Sequence, residues 1–123
     1  MVQRIQSELG SITISEEVIG KICGAAAMEC YGLVGMASRN VQEGISELLR
    51  IDSFERGVDV QFHEEDSVSV TLYIVVQYGV KISEVARNIQ ERVKYAVEEK
   101  LGLRVESINI RVQGVRVSNP KRK

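Results

Sequence analysis

Histidine is the side chain best suited to moving a proton near neutral pH, and this 123-residue chain contains one, His63. It opens the run His63-Glu64-Glu65-Asp66, which sets an imidazole beside three carboxylates and could be drawn as a metal site or an acid–base cluster. Consecutive residues of a polar turn do not easily converge on one ion, and nothing in such a turn desolvates them or fixes a partner. The run reads as a solvated turn. Any His-based triad would have to be built on His63, and neither Cys23 nor Cys30 has an identifiable base. The sequence has no Walker loop, dinucleotide fingerprint or zinc-ligand spacing. These residue types predict a non-enzymatic chain with no cofactor, no metal and no small-molecule substrate.

Two other groupings could bind. Gly32-Leu33-Val34-Gly35 matches the G-x-x-G of KH-type RNA-binding domains, where a short loop between helices lets the backbone approach nucleotides. The match is two residues deep and its middle is apolar. Residues 1–62 around it carry five basic against nine acidic side chains. A turn tucked onto the core is the favoured reading. Residues 100–123 carry seven basic side chains against Glu106 alone, so a KH-like domain using the Gly32–Gly35 turn and the basic C-terminal end stands as the alternative. Exposed aromatics on which bases could stack are scarce, which places nucleic acid second. Cys23 and Cys30 would lie two helical turns apart, about 10 Å, beyond the ~7 Å reach of a disulfide. Both are expected to be buried free thiols.

The elements that must hold these residues are organised around one stretch. Val68, Val70, Leu72, Ile74 and Val76 alternate with Ser69, Thr71, Tyr73, Val75 and Gln77, the pattern of a half-buried strand. After Tyr78-Gly79, apolar residues recur at Ile82, Val85, Ala86, Ile89, Val93, Ala96, Val97 and Leu101, with Glu84, Arg87, Asn88, Glu91, Lys94 and Glu98 opposite. Gly102 marks the C-cap of that helix, and Val105, Ile108, Ile110 and Val112 mark a last strand. Upstream, Ser11–Ile14 is a short strand and Ser15 an N-cap with Glu16 and Glu17 in the first helical turn. Gly20 and Gly24 on one flank let another backbone come close, with packing inside the fold favoured over a subunit contact. Glu29 intrudes on the apolar arc, which predicts that the helix ends or turns near it. Ile45, Leu48, Leu49 and Ile51 suggest a short helix over the core, and Val58, Val60 and Phe62 a strand in hairpin with the long one.

The predicted order is β-α-β-β-α-β with a short extra helix, an α+β two-layer sandwich whose sheet is covered by helices on one face. Its last strand–helix–strand unit should be a right-handed crossover with parallel strands. Residues 1–9 read as a loosely ordered lead, 10–117 as a single domain and 118–123 as a basic tail. No apolar run approaches the ~18 residues of a membrane span, and no charged-then-apolar leader precedes Ser11, so a cytoplasmic chain is expected. Tyr73, Val75 and Arg111 on the outer sheet face and Tyr95 on the polar helix face are the candidate protein-contact residues.

The assembled motifs carry a resemblance. Gly10-Ser11-Ile12-Thr13-Ile14-Ser15 runs into an Ala-rich helix and then Tyr31-Gly32-Leu33-Val34-Gly35-Met36. Leu72-Tyr73-Ile74-Val75-Val76-Gln77-Tyr78-Gly79 follows, then Asn88-Ile89-Gln90, and the chain closes on Val105 to Val115. Over residues 10–117 this resembles the bacterial alkaline-shock-protein family, the envelope stress response proteins of Gram-positive bacteria. The variant resembled is the short one often encoded beside a dihydroxyacetone-kinase-like protein. The resemblance implies a cytoplasmic, non-enzymatic protein of cell-envelope homeostasis. It also implies partners that are further copies of itself or an envelope-associated protein, with the membrane reached only through such a partner. It supplies no catalytic residues.

Overall fold

The computed structural model describes residues 2–39, 48–64 and 66–117. Its organising element is strand β5 (Ser67–Gln77), flanked on one edge by β3 (Leu33–Met36) and β4 (Val58–His63) and on the other by β6 (Arg104–Arg116). β4 pairs antiparallel with Ser67–Leu72 and β3 antiparallel with the stretch from Ile74 to Val76. β6 runs parallel to β5 along its whole length. The predicted hairpin and the predicted parallel crossover are both present. Alternation decides which face of β5 is covered: Val68, Val70, Leu72, Ile74 and Val76 are buried against the helices.

Helix α1 (Glu16–Ala27) starts where Ser15 Oγ accepts the Val18 amide at 3.2 Å, with Glu16 and Glu17 in its first turn. Its glycine flank receives a short 3-10 helix, Ile51–Gly57. A Cβ at Gly24 would stand 2.7 Å from Phe54 Cβ, and one at Gly20 would stand 3.0 Å from Glu55 Cα. The glycines therefore serve close packing within the fold. Helix α2 (Ile82–Ala96) buries Val85, Ile89, Val93 and Ala96. It continues as a π turn, Val97–Leu101, and stops at Gly102 in the left-handed conformation, φ 73°. The wider turn lets consecutive residues Ala96 and Val97 both face the core. Gln90, on the polar flank of α2, donates from Nε2 to the Ile108 carbonyl of β6 at 2.8 Å.

The structure departs from the sequence pattern at the N-terminal end and around the glycine pair. The expected loose lead contains strand β1 (Val2–Ser7), which pairs antiparallel with β2 (Gly10–Ser15) in a two-stranded sheet separate from the main one. Gln3, Arg4 and Gln6 give β1 no alternation to read, so its backbone pairing, with Ile5 against the core, decides the conformation. Gly32 (φ 92°) turns the chain, and Leu33 to Met36 then form a strand instead of a loop. Leu48 is bridged to Ala37 and so extended, not helical, while Ile45 lies outside the described residues. The basic tail, 118–123, lies outside them too. Both helices sit on one face of the main sheet and polar side chains occupy most of the other, the two-layer α+β sandwich expected. No helix among the described residues is long and apolar enough to cross a membrane.

Candidate functional site

His63 ends β4 on the outer face of the sheet. Its Nε2 lies 2.9 Å from Ser69 Oγ and 3.9 Å from Glu106 Oε1. Glu106 reaches this point because it is an extra residue in β6: Val105 pairs with Val68 and Ser107 with Ser69, leaving Glu106 in a bulge that re-aims its side chain. The buried Ser67 hydroxyl stands 2.9 Å from Glu106 Oε2 and 2.8 Å from the Glu64 carbonyl, and its one proton serves one acceptor at a time. Asp59 and Gln61 of β4, Thr71 of β5, and Ser107 and Asn109 of β6 complete the lining of an open depression of about 320 Å³.

The geometry limits the chemistry. A serine–histidine–acid relay needs the acid on Nδ1 and the nucleophile on Nε2. Here Ser69 and Glu106 both approach Nε2, so no relay forms. Among the described residues no group of three or more His, Cys, Asp and Glu side chains is placed to hold a metal ion. The fold joins His63 to Ser69 and Glu106, not to the carboxylates that follow it in sequence; Glu65 lies outside the described residues. Nothing in this arrangement indicates catalysis. The sequence did hold a signal for Glu106. Val105 and Ile108 are three residues apart where a regular strand spaces inward residues by two.

The candidate contact residues fall on two surfaces. Tyr73 and Arg111 are cross-strand neighbours on the outer sheet face, Tyr73 half-buried and Arg111 exposed. Val75, expected beside them, is 1% exposed and presents no contact surface. Leu48 Cδ2 sits 2.9 Å from where a Gly35 side chain would begin, and Gly35 is the cross-strand neighbour of Val75, so Leu48 lies over this part of the outer face. Tyr95 is 62% exposed and stands over a groove between α1 and α2. Ile22, Ala25, Ala26 and Ala96 line that groove, and the Arg92–Glu29 ion pair crosses its end. Tyr31, 81% exposed, lines the adjoining depression with Tyr95, and it was not singled out from the sequence. The intrusive Glu29 was the signal, since Arg92 accounts for it. The Gly32–Gly35 motif is not a loop between helices: its middle residues are half-buried in β3, which removes the basis of the KH-like reading.

The two cysteines are free and unlike. Burial pushes the Cys23 thiol up from 9.0 to about 12. Cys30 is only half-buried; burial raises it too, Arg92 opposes the rise and Glu29 adds to it. In the native protein at pH 8, a thiol reagent should label Cys30 and spare Cys23 until the chain unfolds. Because the fold holds Cys23 protonated, its contribution to stability is intact below pH 9 and is lost as pH rises toward about 12. The slope is ~1.4 kcal/mol per pH unit, read as the difference between wild type and Cys23→Ala in alkaline denaturation. Parallel pH curves for the two proteins would refute it.

With this geometry established, comparison with known proteins places the chain. The model of the alkaline shock protein 23 family, described as having a cell envelope-related function, matches residues 4–117. The chain belongs to the alkaline shock protein 23 family. This family member is 51% identical over 117 residues to uncharacterized protein YloU of Bacillus subtilis (strain 168), covering 94% of the chain and 97% of YloU. It is 42% identical over 118 residues to uncharacterized protein Spy1614 of Streptococcus pyogenes serotype M6, covering 95% of the chain and 97% of that protein. Among solved structures, MamM CTD in its copper form shares the fold at a TM-score of 0.50 and 16% identity, over 85% of this chain and 91% of that one. The family is the one the motifs resemble.

Proposed function

We propose that this alkaline-shock-family chain is a non-enzymatic interaction module with a cell envelope-related role, assembling with copies of itself or with an envelope-associated protein. The observation that carries the reading is the α1–α2 groove, where exposed Tyr31 and Tyr95 stand by an apolar floor and the Arg92–Glu29 pair. Aromatic and Arg side chains are the usual anchors of protein interfaces. Tyr73 and Arg111 give the outer sheet face a smaller surface of the same kind. On this reading the protein works in the cytoplasm and meets the membrane through its partner.

The test is mass by light scattering and sedimentation of the full chain across a wide concentration range, beside Tyr95→Ala and the Tyr31→Ala/Tyr95→Ala pair. Wild type should associate, burying over about 1,000 Å² in total. The double variant should weaken association roughly 30-fold, the effect of losing a ~2 kcal/mol anchor. A strict monomer with no co-purifying protein, or association indifferent to both tyrosines, would overturn the proposal.

A further inference from the structure

We infer that the depression on the outer sheet face is a binding site for a neutral polyhydroxylated ligand, a sugar or cyclic polyol. The site is independent of the α1–α2 groove and lies on the opposite layer. Its shape follows from side-chain length. Small residues, Ser69, Thr71 and Ser107, occupy the centre, and Asp59, Gln61, His63, Glu106 and Asn109 rise around them. The volume of about 320 Å³ falls within the range of small-molecule sites.

The lining selects the ligand. Small-molecule pockets are mostly apolar with a few polar groups, whereas every side chain lining this one carries a hydrogen-bonding atom. Recognition here must be by hydrogen bonds. Asp59 and Glu106 accept, the Gln61 and Asn109 amides donate and accept, and a hydroxyl group satisfies both kinds at once. An anion is disfavoured, because the two carboxylates face it and, among the described residues, no Lys or Arg lines the depression. A simple cation would satisfy the carboxylates but leave the amide donors without acceptors. Vicinal hydroxyls on a saturated sugar or cyclitol ring suit the whole set.

Part of the site is already fixed. His63 is held on Ser69, and Glu106 on Ser67, so two walls need no ordering on binding. Asp59, Gln61, Thr71, Ser107 and Asn109 have no side-chain hydrogen bond or ion pair with another described residue, so their capacity is available to a ligand. Tyr73 stands two residues beyond Thr71 in the outward row of β5, outside the lining of the depression.

The experiment is a titration of the full ¹⁵N-labelled chain followed by amide chemical shifts, with N-acetylglucosamine and myo-inositol as neutral probes and n-butylamine as the cationic one. Saturable millimolar shifts from a neutral probe, confined to the outward residues of β4, β5 and β6, are expected. Gln61→Ala and Asn109→Ala, both exposed positions, should each weaken that response about tenfold while leaving the remaining spectrum in place. No saturable shift from either neutral probe would overturn the inference. Saturable shifts from n-butylamine alone, or shifts that persist unchanged in both variants, would overturn it too.

Discussion

Val93→Asp should unfold the protein or come close to it. Val93 is 0% exposed at the middle of the apolar stripe of α2, between buried Ile89 and Ala96, and packs in the same core cluster as Val70 and Ile108. A carboxylate there would stand inside the apolar core cluster, so it must be buried charged or be protonated. Either route costs several kcal/mol, on the order of 3–5, against a total stability of about 5–15 for a domain of this size. Glu91→Ala, on the exposed face of the same helix, should stay within ~0.5 kcal/mol of wild type. Thermal or urea denaturation separates the two. Equal stabilities would mean that α2 presents a different face to the sheet.

The second large effect runs against helix propensity. Gly24 lies inside α1, where replacing glycine by alanine ordinarily gains ~1 kcal/mol. The new methyl would stand 2.7 Å from Phe54 Cβ and 3.0 Å from Phe54 Cγ. Those atoms lie close to the backbone of the 3-10 helix, so relief requires the whole turn to move away from α1. Overpacking of this kind costs about 1–3 kcal/mol, and Gly24→Ala should be a net loss. Ala25→Gly provides the reference: at that exposed neighbour on the same helix, propensity alone should cost ~1 kcal/mol. If Gly24→Ala instead raises the urea midpoint, the Phe54 contact is not what keeps the glycine.

Much of this architecture is written in local periodicity. The alternation of β5, the stripe of α2, the Ser15 cap and the Gly102 stop each follow from neighbours within a turn or two, and each appears where its pattern places it. The departures share one cause: a partner far away in sequence. β1 has no alternation of its own and is held by its ladder to β2. β3 contains Gly35, follows directly on Gly32 and reads as a turn, yet pairing with β5 extends it. The alternation does put Val75 on the outer face, but Leu48, 27 positions earlier, closes over Gly35 beside it. The polar depression is the clearest case. His63 was visible as the lone histidine, whereas its neighbour Glu106 arrives through a bulge whose trace is one skipped beat between Val105 and Ile108.

The contact between Gln90 and the Ile108 carbonyl bears on what happens when many copies are crowded together. β6 has 13 residues and, among the described residues, a ladder with β5 alone. A long outermost strand is a template on which a foreign strand can grow, the usual start of misassembly. The Gln90 amide already occupies an acceptor near its centre. Extra residues at Glu106 and Gln113 break its regular spacing on either side. An incoming chain therefore meets no long uninterrupted register, and the protein can keep a strand of this length at the margin of its sheet without inviting fibres.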